Sequence, residues 1–486
     1  RDKHQLYAGF DYSIAQKKDY SYTFKVEGFS DSKLDFIGNA LQYEKGGKPY
    51  ATEDLSRRVG FTGNINYIYN NRYYMDFSFR VDGSSLFGSK NKFAPFWSVG
   101  VGWNVHNEKF MAKQNVVNTF RVRGSYGETG SQQFSSYQAL STFQSYTGKR
   151  YIVWNGAELM GLGNEKLKWQ VTTQINGGVE VELWDGRVSA SFDIYRKKTS
   201  DLLSRMDLPL ANGFSSYVDN VGEVQNNGYE AVLSGYLIRD TRRNIIWSMT
   251  AKLAYTKNKV TKLSEAIKKQ NEMLVSNGAE INQLLYEGYA QNSIWAVPSL
   301  GIDPSTGDEI FLDKDGNITS EWNAVNKRYF GVSEPKYRGN ISTYFAWKDF
   351  SINLGFAYHW GGQQYNNTLL NKVEVTNDYI SKNNVDSRVY KKRWQKPGDV
   401  KPYKGYGDIA TKATSRFVMD DNVFQFQSAS VEYRLRSEWL SNKWKIETVN
   451  IGANMSDIFY ISSIKRERGT SYPFARRLSL MLSLIF

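Results

Sequence analysis

Large apolar side chains fall on every second residue through much of this chain. In the last stretch, 472–486, the even positions Tyr472, Phe474, Leu478, Leu480, Leu482, Leu484 and Phe486 are apolar or aromatic, with Arg476 the exception. Ala475, Arg477, Ser479 and Ser483 on the odd positions are small or polar. Side chains alternate across a strand, so this spacing predicts a β-strand with one oily face and an aromatic end. The same pattern recurs upstream. Over 350–360, Phe350, Ile352, Leu354, Phe356, Tyr358 and Trp360 oppose Ser351, Asn353, Gly355, Ala357 and His359. Counted along the whole chain, the alternation predicts about fifteen strands. The first two are expected over 6–14 and 20–26, joined by a turn at Gln16-Lys17-Lys18.

Connections between these strands alternate in length. Short ones fall near 15–18, 70–71, 184–187, 240–243, 347–349 and 437–444. Long ones fall near 30–56, 128–168, 205–221, 259–335, 361–421 and 457–471, whereas 84–93 and 106–117 are of similar length and do not discriminate. Outer-membrane barrels have short periplasmic turns and long extracellular loops. The expected fold is therefore all-β, a transmembrane antiparallel β-barrel whose last strand runs inward to leave Phe486 at the periplasm. An odd strand count does not close the even-numbered barrel of a bacterial single chain, so further strands are expected upstream. Arg1-Asp2-Lys3-His4 carries no leader pattern, and the exported chain is expected to start earlier than residue 1.

Composition supports the membrane reading. Aromatics make up 15% of the 486 residues, yet mean hydropathy is −0.54. Both hold together when only one strand face meets lipid and the lumen and loops are polar. A secreted propeller or lectin is the competing all-β class, but no blade-length repeat is present. No apolar run approaches the roughly 18 residues of a membrane helix. The net charge of +13 is scattered along the chain and flanks turns, which suits a collar at lipid headgroups rather than a nucleic-acid surface.

Candidate chemistry is sparse. Cysteine is absent, and the three histidines, His4, His106 and His359, stand apart, so neither a metal set nor a catalytic triad is expected. Asp76, Glu180 and Glu182 are expected as lumen-facing strand residues, and Asp313-Lys314-Asp315-Gly316 as a plain turn without the closing Glu of a calcium loop. No enzymatic activity and no cofactor are expected. The aromatics of the long connections are the better candidates: Phe134, Tyr137, Phe143, Tyr146, Tyr151 and Trp154 interleave with Gln132, Gln133, Gln138 and Asn155. Flat rings beside amides suit sugars or peptides. Phe143, Tyr146, Tyr151 and Trp154, with Trp394 from another long connection, are the candidate substrate-binding residues.

Several motifs carry a family resemblance. Arg80-Val-Asp82-Gly83-Ser84-Ser85-Leu-Phe87 followed by Phe96-Trp-Ser-Val-Gly-Val-Gly-Trp103 resembles the SusC/RagA family of TonB-dependent outer-membrane transporters of Bacteroidota. Asn164-Glu-Lys-Leu167-Lys-Trp169 resembles the family's N-P-x-L-K-W, with Glu165 in place of Pro. Similar matches are 220–230, Gly301-Ile-Asp303-Pro304-Ser-Thr-Gly307, Arg393-Trp394 with Pro397-Gly398-Asp399, 414–417 and Ser471-Tyr472-Pro473. The resemblance implies a barrel of roughly 22 strands, of which residues 1–486 are the carboxy-terminal part, with the plug domain and first strands outside this chain. It further implies a SusD-like surface lipoprotein lid, energy from TonB acting through the absent plug, and an oligosaccharide or peptide substrate. The alternative is a non-transporting scaffold or adhesin in an outer-membrane assembly.

Overall fold

The computed structural model describes residues 3–31, 33, 35–88, 90–131, 136–207, 213–214, 216–279, 284–465 and 476–486. Fourteen strands follow one another in a single antiparallel sheet, each hydrogen-bonded to its sequence neighbour. They are β1 (His4–Thr23), β2 (Tyr50–Tyr69), β3 (Tyr73–Ser84), β4 (Phe93–Asn104), β5 (Val117–Ser131), β6 (Gln170–Leu183) and β7 (Val188–Ser200). The remaining seven are β8 (Gly222–Asp240), β9 (Ile245–Leu263), β10 (Tyr337–Trp347), β11 (Phe350–Tyr365), β12 (Val418–Leu435), β13 (Thr448–Ser462) and β14 (Arg477–Ile485). A sequential meander without crossovers is the topology of an up-and-down barrel wall. One face carries exposed apolar side chains throughout; Leu480, for example, is 80% exposed. Such a surface is stable when covered by lipid rather than water.

The expected turn at Gln16-Lys17-Lys18 does not form. β1 runs through it unbroken, paired with β2 from His4 opposite Tyr69 to Thr23 opposite Tyr50. This stretch is polar, but it lacks the Gly, Asn or Pro that a tight turn requires. Its polar groups instead pair across the sheet: Lys18 with Glu53 at 3.0 Å, and Gln16 with Arg57 at 2.9 Å. At about 3.3 Å per residue the strand is far longer than the apolar band of the membrane, so this end stands in water. The first two expected strands are thus one, and the described sheet counts fourteen strands, an even number, so the odd count no longer argues for strands upstream.

With that correction the connections fall alternately at the two ends of the sheet. The connections 24–49, 85–92, 132–169, 201–221, 264–336, 366–417 and 463–476 lie at one end. At the other end lie 70–72, 105–116, 184–187, 241–244, 348–349 and 436–447, so strand parity assigns the two that length left open. Asn70 and Asn71 take φ of 52° and 54°, the left-handed values of a tight hairpin. Residues 466–475, including the Ser471-Tyr472-Pro473 motif and Phe474, lie outside the described residues; the last strand is described from Arg477.

Candidate functional site

The polar face of the sheet is an ordered wall of charge pairs. Arg80 holds both carboxylate oxygens of Asp82 at 2.7 Å, and Arg121 reaches Asn104 at 2.9 Å and Glu180 at 3.4 Å. Thr119 donates to Glu182 at 3.1 Å, and Asn66 donates to Asp76. The acidic residues expected on the lumen face are therefore there, each engaged by a cation, amide or hydroxyl. Arg123 on β5 bridges to Asp193 on β7 at 2.7 Å, passing over the intervening β6. The residue beneath the bridge is Gly178, where a Cβ would run into the Asp193 carboxylate and the Arg123 guanidinium.

The aromatic connection between β5 and β6 folds into a hairpin of its own, Thr142–Tyr151 with Trp154–Gly161. Tyr151 and Trp154 face each other across its two-residue tip, Ile152-Val153, with Ile152 at φ 57°. Tyr151, Trp154 and Phe143 are 78%, 73% and 68% exposed, so their rings are presented outward. Tyr146 is on the same strand, but its side chain, like Phe134, Gln132 and Gln133, lies outside the described residues. The root is fixed. Tyr137 accepts from the Leu55 amide of β2 at 3.1 Å, and Asn164 donates to the Val218 carbonyl and Asp219 carboxylate, both at 3.0 Å. Beside it Trp169 is buried against Phe87 and Phe96, with ring centroids 4.3 and 5.6 Å away. The motifs over 80–87, 96–103 and 164–169 thus meet in one packed cluster through Phe87, Phe96 and Trp169.

Trp394 belongs to a different body, built from the connections 264–336 and 366–417. Its indole N–H donates to the Pro304 carbonyl at 2.9 Å and its ring covers Gly307, whose φ of 78° suits only a glycine. The wholly buried Arg393 donates to the carbonyls of Val375, Lys404 and Gly405. Arg416 grips Glu309 through two hydrogen bonds of 2.7 Å and Glu374 through two of 2.7 and 3.0 Å. Two guanidiniums and two carboxylates balance in charge, which makes their burial tolerable. Burial alone pulls both guanidiniums down; it prevails at Arg393, whereas the two carboxylates hold Arg416 above its ordinary value. Burial also lowers the Lys404 ammonium. The motifs over 301–307, 393–399 and 414–417 are the joints of this body. Sequence reasoning missed Glu309 and Glu374, which stand 107 and 42 residues from Arg416 and lie in no motif. The Asp313 turn is a turn, its carboxylate accepting from the amides of Asp315 and Asn317 at 2.9 and 2.8 Å.

A polar cavity of about 460 Å³ opens where β11 and β12 approach the long connections. Its lining includes His359, Gln364, Asn367, Asp421, Gln425 and Lys465, and the His359 ring lies 3.3 Å from Asp421. His359 was legible only as a polar strand position, since Asp421 is 62 residues away.

An antiparallel meander with a lipid-covered face, a charge-paired inner wall and built-up loops at one end defines a transmembrane β-barrel of the outer-membrane type. Residues 2–454 match the family described as TonB dependent receptor-like, beta-barrel, and the chain belongs to that family. It is 29% identical over 490 residues to TonB-dependent receptor P3 of Formosa agariphila, covering 94% of this chain and 46% of that protein. TonB-dependent receptor SusC of Bacteroides thetaiotaomicron is 24% identical over 458 residues, covering 90% of this chain and 44% of that one. The RagAB peptide transporter has the same fold, with a TM-score of 0.82 at 22% identity over 96% of this chain and 50% of that chain. The chain spans about half the length of the curated relatives it matches.

Proposed function

We propose that this chain is the carboxy-terminal wall and loop crown of an outer-membrane transporter that imports oligosaccharides or peptides. In this reading a SusD-like lipoprotein closes over the long-connection end, and TonB acts through a plug that lies outside these residues. The length of the relatives supports a barrel completed by strands beyond this chain. The observation that carries the substrate class is the rigidly rooted hairpin with Tyr151 and Trp154 outward beside amide-bearing neighbours. Rings so placed stack on the C–H faces of sugars or on peptide groups, each worth on the order of 1 kcal/mol. Phe143, exposed on the same hairpin, and Tyr146, by its place in the sequence, are proposed as further contacts, while Trp394 contributes by shaping its own loop body.

The test has two parts. Deleting the gene is expected to abolish growth on one glycan or peptide source and to leave growth on simple nutrients intact. An assembly defect of the outer membrane with no nutrient defect would instead support the scaffold reading. For the identified ligand, Tyr151→Ala with Trp154→Ala in the assembled full-length protein is expected to weaken binding several-fold by calorimetry. Unchanged affinity would remove the hairpin from the site.

A further inference from the structure

Four connections at the short-turn end are tight turns: 70–72, 184–187, 241–244 and 348–349. The connection 436–447 is different, folding into a helix, α1 (Glu438–Trp444). Ser437 caps it by accepting from the Trp439 amide, and Lys445 ends it at φ 57°. Helical spacing places Trp439, Leu440, Lys443 and Trp444 on one side and Glu438, Ser441 and Asn442 on the other. The indoles are not packed into the protein; Trp439 is 59% and Trp444 57% exposed. The Lys443 ammonium lies over both rings, 5.3 and 6.0 Å from their centroids.

The flanks of the helix are pinned to the rim of the sheet. The Arg434 amide donates to Asp349 at 2.8 Å and the Glu447 amide to Ile485 at 2.7 Å. Tyr433, Leu484 and Phe486 are exposed apolar groups at the same end, and so is Trp347, with Lys348 5.6 Å from its ring. The aromatic side of the helix therefore stands at the same end of the sheet as these exposed apolar groups. Indoles settle at the headgroup level, where their apolar body and polar N–H are both satisfied. Arg436, Lys443 and Lys445 add positive charge where lipid phosphates lie.

We propose that α1 is an in-plane membrane helix. Its Trp439, Leu440 and Trp444 enter the phospholipid leaflet at the short-turn end, and Lys443 with its basic neighbours contacts lipid phosphate. The inference is independent of what the barrel transports.

The experiment uses the full-length protein reconstituted in vesicles of phosphatidylethanolamine and phosphatidylglycerol. Residues 1–486 contain no cysteine, so, with any cysteine outside them replaced by serine, single spin labels can be placed at Leu440→Cys and Asn442→Cys. Collisions with oxygen are expected to exceed those with a water-soluble nickel chelate at 440, and the order is expected to reverse at 442. A nickel preference at both positions overturns the proposal, as does a 440 label shielded from both reagents, which means protein covers that face. Trp439→Phe with Trp444→Phe supplies a readout with little effect on packing. This pair is expected to lose part of the tryptophan emission quenched by brominated phospholipid, and unchanged quenching overturns the proposal.

Discussion

Gly178 carries no side chain because two charged groups meet above it. Gly178→Ala forces the Arg123–Asp193 bridge apart, and a cost of about 1–3 kcal/mol is expected, as for other overpacked sites. Thermal unfolding in detergent measures it, and an unshifted midpoint means the bridge is slack. The loop body depends on Arg416 in a sharper way. Arg416→Met leaves Glu309 and Glu374 buried without their cation, a loss of about 3–5 kcal/mol for a broken buried pair. Amide exchange is expected to rise across 301–312 and 366–417 while the strands stay protected. Asp386 supplies a pH dependence in the same connection. Hydrogen bonds from Arg388, at 2.7 and 2.9 Å, hold its carboxyl down to about 2. A depressed carboxylate gives stability that is full above its unfolded value and fades as pH falls through the folded one. The advantage of wild type over Asp386→Asn in resistance to proteolysis of this connection should therefore shrink between about pH 4 and about pH 2.

At the scale of elements, the decisive object is β1. A strand of 20 residues and two strands with a turn differ in what lies opposite Ser21. In the unbroken strand Ser21 sits across from Thr52. Cysteines at both positions are expected to form a disulfide on mild oxidation, because facing residues of an antiparallel pair stand about 4.5–5.5 Å apart. A turn at 16–18 would fold Ser21 back along 6–14 and prevent that cross-link. The 142–161 hairpin shows the opposite lesson. Its rings were legible as a cluster, but their presentation at the tip comes from the pairing of Tyr151 with Trp154 and from the hydrogen bonds of Tyr137 and Asn164 at its base.

For the whole molecule, each of the fourteen strands has one lipid-compatible face, and β1 and β14 stand at the two ends of the strand order. Unpaired edges are costly in a bilayer. On the proposed reading the native polypeptide is heavier than the 55.8 kDa of these residues, and intact-mass measurement is expected to find it so. The alternation of large and small positions determined the strand faces, most strand positions and the two-ended distribution of connections, because a strand's side chains obey a period of two that needs no distant partner. It likewise marked Asn70-Asn71 as a hairpin, since φ is a local property. The fusion of the first two strands was only half legible: Gln16-Lys17-Lys18 lacks the residues of a tight turn, but its extended course is settled by the partners at Glu53 and Arg57. The loop body was decided by tertiary structure alone. Arg416 meets Glu309 and Glu374 only after two long connections fold together, and the charges that make the burial possible come from segments with no periodicity to reveal them.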